Sequence, residues 1–344
     1  MQDITFYNIR KAPFTIHGLW DPENGEQFLR IPESVAKQCN KHIADGLYRN
    51  TAGGRVRFAT DSDTLVVRAT RTPEGVNGRI APYLEFGFDL YVKTPLGPRF
   101  LNSGRPLPVA EGSNVREHVF KLPEGMKELT LYYPCYGSVA DLELGFKTGA
   151  VVKEHTPYTY TKPILFYGSS ITQGCAASRP GKAYPSTLSH RFDFDFINLG
   201  FAGSCRGEEV LCEHMASLPL GAFVSDYDHN RSCAASLADN HYRVYEIIRE
   251  KHPDIPYFMI SRPDFCYNEM DFDRRAVVMD SYLKAWRGGD RNVYFIDGSA
   301  FFCDCPDKME YTLDACHPTD EGFQRMANLI GTVFANTIDF EKLK

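Results

Sequence analysis

The spacing of apolar residues changes character near residue 155, and that change limits the fold more than any other feature. Up to that point the period is two, the mark of half-buried strands. In DLELGF, Leu142, Leu144 and Phe146 share one face. ELTLYY does the same with Leu129, Leu131 and Tyr133, and YLEFGFDLYV with Leu84, Phe86, Phe88, Leu90 and Val92. RVRFAT and TLVVRA flank the turn residues Asp61-Ser62-Asp63, and RTPEG, TPLGPR and LPEG punctuate the later runs. Short alternating strands between such turns predict an antiparallel β-sandwich of jelly-roll type over residues 1–150.

Residues 151–162 read as a linker, and from 163 to 344 strand and helix patterns alternate. The expected strands are Ile164–Tyr167, Phe196–Leu199, Ala222–Val224, Tyr257–Ile260 and Val293–Ile296. Helical stripes lie between and after them: Val244, Ile247 and Ile248; Tyr282, Leu283 and Trp286; Phe323, Met326, Ile330, Val333 and Phe334. Continuous apolar strands joined by helices predict an α/β, flavodoxin-like, doubly wound five-stranded parallel sheet.

Composition narrows the function. The 344 residues carry a formal net charge of −6, which argues against nucleic acid as a partner. Neither half contains an apolar run long enough for a membrane span, so no membrane partner is expected. The opening MQDITFYNIRKAPF lacks the build of a secretory signal, so the expected location is cytoplasmic, or the chain is an already trimmed form. The 10 cysteines are irregularly spaced. Only Cys303 and Cys305 lie close, without the paired knuckles of a structural zinc site, so no metal is expected and the thiols read as reduced.

In a doubly wound sheet, chemistry gathers just past the carboxyl ends of the strands. The loop after the first strand is Gly168-Ser169-Ser170-Ile171-Thr172-Gln173-Gly174; after the second, Gly200-Phe201-Ala202-Gly203-Ser204. The third gives Asp226-Tyr227-Asp228-His229-Asn230, and the fifth leads to Asp314-Ala315-Cys316-His317-Pro318. Such a set suits acyl transfer: Ser170 as nucleophile, His317 as base, Asp314 as the group that orients it. The N–H groups of Ser170 and Gly203 and the Asn230 amide are the candidate oxyanion donors. Each element alone has a plainer reading: a tight turn for Gly-Ser-Ser, a turn glycine for Gly203, a helix cap for Asn230, a surface pair for Asp314 and His317. Their joint occurrence at successive loops of one sheet edge favours the catalytic reading. Arg206, Arg179 and His229 are further candidates for substrate binding.

These four blocks resemble those of the SGNH (GDSL-type) hydrolases, named for Ser, Gly, Asn and His. The resemblance spans roughly residues 160–335. It extends to the subgroup with a leading β-sandwich, since GFDLY at Gly87–Tyr91 is similar to the GxDLY signature of that domain. Ser169 stands where many relatives carry Asp, Ala315 where Gly is usual, and DYDHN replaces GxND, so Asn230 is matched by position. The resemblance implies a serine esterase acting on small acyl esters, O-acetyl groups on carbohydrate being favoured, with no cofactor. Two alternatives stay open: an acyltransferase or lipid or thioester acylhydrolase using the same site, and a catalytically silent carbohydrate-binding protein. A homo-oligomer is compatible with the sequence.

Overall fold

The computed structural model describes residues 3–72, 80–263 and 269–344. Part of the RTPEG turn, and Cys266, lie outside the described residues. The chain divides into two compact units. One comprises Met1–Pro32, Tyr48–Tyr158 and Ser178–Gly181; the other comprises Glu33–Leu47, Thr159–Ala177 and Lys182–Lys344. The reading from sequence drew one boundary at 151–162, whereas the structure exchanges two short segments between the halves.

The first unit is a β-sandwich of two antiparallel sheets. One sheet orders its strands Ile4–Asn8, Asp141–Lys147, Thr64–Thr70, Val115–Lys121 and Leu107–Pro108. The other orders Val152–Lys153, Arg55–Thr60, Lys127–Tyr132, Phe88–Thr94 and Gly97–Gly104, with Thr15–His17 also paired to Arg55–Thr60. Alternation builds the core, because every second residue of a strand faces inward. Val56, Phe58, Leu90, Leu129 and Leu131 from one sheet join Leu65, Val67, Leu142, Leu144 and Phe146 from the other. Phe58 and Phe146 meet edge to face, with ring centroids 5.5 Å apart.

The run Leu84–Val92 is not one strand. Pro82 opens a short helix, Pro82–Phe86, and the Gly87 N–H closes it on the Tyr83 carbonyl. A Cβ at Gly87 would lie 2.3 Å from that oxygen, so only glycine permits the closure. The strand therefore begins at Phe88, and its two faces do different work. Phe88 and Leu90 enter the core, whereas Asp89 and Tyr91 bind the segment Ser178–Gly181. The buried Asp89 carboxylate accepts from Arg179 Nη1 at 2.7 Å and the Gly181 N–H at 2.8 Å, and from the Ser103 hydroxyl. Arg179 also donates to the Tyr91 oxygen at 2.7 Å and lies 3.7 Å over the Phe100 ring.

The second unit is a parallel sheet of five strands with helices. In chain order the strands are Tyr160–Gly168, Phe194–Gly200, Ala222–Asp226, Tyr257–Ile260 and Val293–Ile296. Side by side they run second, first, third, fourth, fifth. The first strand is thus flanked by the second and third, which sets their three following loops next to one another. Val244, Ile247 and Ile248 are buried on the helix His241–Lys251, as their spacing predicts. On Asp320–Thr337 the buried stripe runs Phe323, Met326, Ile330 and Phe334, and Thr319 caps the helix start. The helix Glu269–Arg287 departs from expectation. Its buried side includes Arg274, Val278, Ser281 and Ala285, while Trp286 is 45% exposed under the Arg291 guanidinium. The inner face thus mixes small, apolar and charged residues, and a hydrophobic stripe does not mark it.

Removing the Asp89 carboxylate takes the counter-charge from Arg179 and the acceptor from the Gly181 N–H. Asp89→Ala is expected to destabilise the first unit by about 3 kcal/mol, read as a lower urea midpoint.

Candidate active site

The first strand ends at a residue that has no room for a side chain. A Cβ on Gly168 would lie 2.0 Å from Thr172 Oγ1 and 2.5 Å from the Asp226 carbonyl oxygen. The chain then turns into the short helix Ser170–Gln173, whose cap is Ser169: its hydroxyl accepts from the Ile171 N–H at 3.2 Å. Ser and Asp are both good N-caps, which accounts for Ser169 standing where an Asp is common. Gly174, at φ 104°, ends the turn. Ser170 is thereby carried at the carboxyl edge of the sheet.

Ser170 Oγ lies 2.8 Å from His317 Nε2. His317 Nδ1 lies 2.8 Å from Asp314 Oδ2 and 3.1 Å from Oδ1. With the ring proton on Nδ1, facing the carboxylate, Nε2 is left to accept from the serine hydroxyl. The Asp314 carboxylate also accepts from the N–H groups of His317 at 2.8 Å and Cys316 at 3.2 Å. Partial burial opposes its ionisation, yet the His317 N–H, the His317 ring and the Cys316 N–H together hold it below the usual carboxylate range. The turn that brings Asp314 and His317 together closes through the Leu313 N–H on the His317 carbonyl at 2.9 Å. Ala315 sits within it at φ 61°, the left-handed region where glycine is strain-free.

Gly203 and Asn230 follow the second and third strands, the neighbours of the strand that carries Ser170. Gly203 has φ 66°. Asn230 Oδ1 accepts from the Cys205 N–H at 3.1 Å, which fixes the amide and turns Nδ2 away from that bond. The loop from Gly203 to Gly207 is tied down on all sides. Asn40 Nδ2 donates to the Ser204 carbonyl at 2.8 Å and to Glu208 Oε1 at 2.6 Å. Asn240 Nδ2 and Arg231 Nη1 donate to the Arg206 carbonyl at 2.6 and 3.1 Å, and the Gly207 N–H donates to Tyr167 at 2.8 Å.

Residues 161–335 match the sequence profile of the GDSL-like lipase/acylhydrolase family, and residues 4–152 match the GxDLY domain, described as the N-terminus of SGNH-hydrolase-type esterases. The chain belongs to the GDSL-like lipase/acylhydrolase family. No curated protein matches it. Among solved structures it is similar to a GDSL-like lipase from Bacteroides ovatus, at 27% identity and TM-score 0.85, covering 97% of this chain and 98% of the other. A salicylyl-acyltransferase from a tetracycline biosynthetic pathway aligns at 20% identity and TM-score 0.79, covering 97% and 99%. A family two carbohydrate esterase from Cellvibrio japonicus shares the fold at 11% identity and TM-score 0.65, covering 99% and 100%.

Within this GDSL-family site the remaining candidates fare differently. His229 lies beside Asn230 with its Nε2 buried and unpartnered. Burial, and then the positive charges of Arg262, His317 and Arg274, push its protonation well below the ordinary range, so the ring is neutral. Arg206 is exposed, and its carbonyl anchors the loop. The Arg179 guanidinium is engaged by Asp89 and Tyr91 in the first unit. None of the nine described cysteines is in a disulfide. Burial raises the Cys205 and Cys212 thiols, which keeps both protonated.

Two residues escaped the sequence reading. Arg262, in the loop after the fourth strand, donates its N–H to Asp228 Oδ2 at 2.9 Å and Nη1 to Asp271 at 2.7 Å. The strand-end rule that found the other loops points equally to this one. Asn40 lies in a stretch assigned to the sandwich from its position alone, and no local signal marks it.

Asn40→Ala removes its two side-chain bonds to the Ser204–Glu208 segment, and is expected to cost about 2 kcal/mol of stability and to lower turnover of any substrate that uses the Gly203 N–H. Ala315→Gly is expected to stabilise the protein by about 1 kcal/mol in thermal or urea unfolding, because the strained φ becomes free.

Proposed function

We propose that the protein is a serine esterase that hydrolyses small acyl esters, O-acetyl groups on carbohydrate foremost. The observation that carries this reading is the unbroken hydrogen-bonded line from Ser170 Oγ through His317 to Asp314, with 2.8 Å at each link. In the proposed cycle Ser170 Oγ forms a bond to the ester carbonyl carbon while its proton passes to His317 Nε2. The negative charge gathers on the former carbonyl oxygen. The Ser170 and Gly203 N–H groups and Asn230 Nδ2 receive it. As the intermediate collapses, His317 gives its proton to the departing alcohol. Water then attacks the acyl-serine by the same route, and the carboxylic acid leaves.

Asp314 keeps the imidazole in the tautomer this cycle needs and stabilises the imidazolium. A carbohydrate alcohol portion is supported by the sandwich-plus-hydrolase architecture shared with family two carbohydrate esterases, a likeness of fold. The same acyl-serine can pass its acyl group to an alcohol. Turnover of an added alcohol faster than water would convert the reading to an acyltransferase.

The test is hydrolysis of p-nitrophenyl acetate, butyrate and octanoate, followed by a panel of acetylated sugars. Wild type is expected to prefer the acetate, and Ser170→Ala to lose at least about 10³-fold in kcat with KM little changed. Full activity in Ser170→Ala would sink the mechanism. Asp314, held below the usual carboxylate range, is expected to stay ionised across the assay range and to set no limb of the pH profile there.

A further inference from the structure

Behind the Ser170 turn lies a carboxyl group that the proposed cycle does not use. Asp226 ends the third strand and is fully buried. Its main-chain oxygen accepts from the Ser169 N–H at 3.1 Å. Its Oδ2 is 2.8 Å from Thr172 Oγ1 and 3.1 Å from the Tyr184 hydroxyl, and those two hydroxyls are 3.2 Å from each other. Its Oδ1 is buried without a partner. Thr172 sits two residues past Ser170 on the same turn, and its carbonyl accepts from Asn198 Nδ2 at 2.7 Å.

We propose that Asp226 is a positioning residue for Ser170 and that it acts as the neutral acid, through the Thr172 hydroxyl. The inference rests on the reading of Ser170 as the nucleophile. The three oxygens form a closed triangle. A proton on Oδ2 completes a ring in which Asp226 donates to Tyr184, Tyr184 to Thr172 and Thr172 to Asp226. Only a carbonyl-type oxygen is then left bare. An ionised carboxyl would instead leave an anionic oxygen buried and unpartnered, which is much more costly.

The titratable groups facing Asp226 point the same way. Among the described residues they are the Tyr184 phenol, the Asp228 carboxyl and the Cys205 thiol, none of them a cation. Burial, and then Asp228, raise the Asp226 carboxyl to about 8, so it is largely protonated at neutral pH.

The experiment uses the full chain and two readouts: p-nitrophenyl acetate turnover, and the rate at which a fluorophosphonate labels Ser170. Thr172→Val removes the hydroxyl at nearly constant shape. It is expected to lower kcat and the labelling rate about tenfold or more with KM within about twofold, and Thr172→Ser to restore most of the loss. Asp226→Asn keeps a neutral, hydrogen-bonding group. It is expected to lose less than about tenfold in kcat at pH 7 and to lack the decline above about pH 8 that wild type shows as Asp226 ionises.

A thermal readout does not depend on turnover. Folded Asp226 holds a proton that unfolding releases at pH values between the ordinary carboxylate range and about 8. Wild-type stability therefore falls as pH rises through that window, and an asparagine has no such dependence. The melting temperature of Asp226→Asn relative to wild type is expected to rise from about pH 5 to about pH 8 and then level off. Equal labelling rates in Thr172→Val and wild type, an unchanged alkaline limb in Asp226→Asn, or a pH-independent melting difference would each overturn the proposal. Wild type that labels but hydrolyses none of the esters overturns the esterase reading and leaves this one standing. Wild type that does not label overturns both.

Discussion

At Gly168 three pieces of backbone and side chain are pressed together with no space for a single added carbon. The end of the first strand, the main chain of the third strand at Asp226 and the Thr172 hydroxyl all meet there. This close approach fixes where the chain turns, and so where Ser170 stands relative to the sheet. A parallel sheet alone places loops along an edge to within several ångström. Reaction geometry needs far tighter control, because a displacement of about 1 Å can cost a hundredfold in rate. Here the control comes from the Gly168 contact and from three bonds around it: Ser169 N–H to Asp226, Thr172 to Asp226, and Asn198 to Thr172.

The strand Phe88–Thr94 in the first unit follows the same logic with different chemistry. Its period of two reads as a half-buried strand, and the apolar positions do enter the sandwich core. The alternate positions Asp89 and Tyr91 hold a segment that lies about ninety residues later in the chain and that is grouped with the sandwich. A polar residue on the outer face of a strand is ordinarily solvated. Here burial of Asp89 requires a partner of opposite charge, and Arg179 supplies it. The guanidinium is therefore tied to the sandwich strand, its charge matched by Asp89 and a further bond made to Tyr91.

What could be read from the sequence follows from range. The five parallel strands were legible because burial on both faces makes each a continuous apolar run, bounded by polar turns. The residues of the relay were legible because each stands within a few positions of a strand end or an approaching helix cap. Asn40 was not, because its partners Ser204 and Glu208 lie more than 160 positions away and no periodicity links them. The inner face of Glu269–Arg287 was misread because its packing uses Ser281 and Ala285, which a hydrophobic stripe does not weigh. The helix Pro82–Phe86 was hidden inside an alternating pattern, and only the Pro82 and Gly87 pair betrays it.

Asp314 and Asp226 are the same side chain placed in opposite surroundings. Asp314 is 50% exposed and takes three N–H donors, so its charge is stabilised. Asp226 is buried among hydroxyls and another carboxyl, so its charge is disfavoured. Two acids near one site with ionisation pushed apart is the arrangement expected where the roles differ. The ionised one faces the imidazole, where negative charge helps a proton arrive. The neutral one lies behind the Ser170 turn, where its Oδ2 meets the Thr172 and Tyr184 hydroxyls. Burial of Asp226 among hydroxyls thus does two things at once: it ties the turn through the Thr172 hydroxyl and disfavours a charge behind that turn.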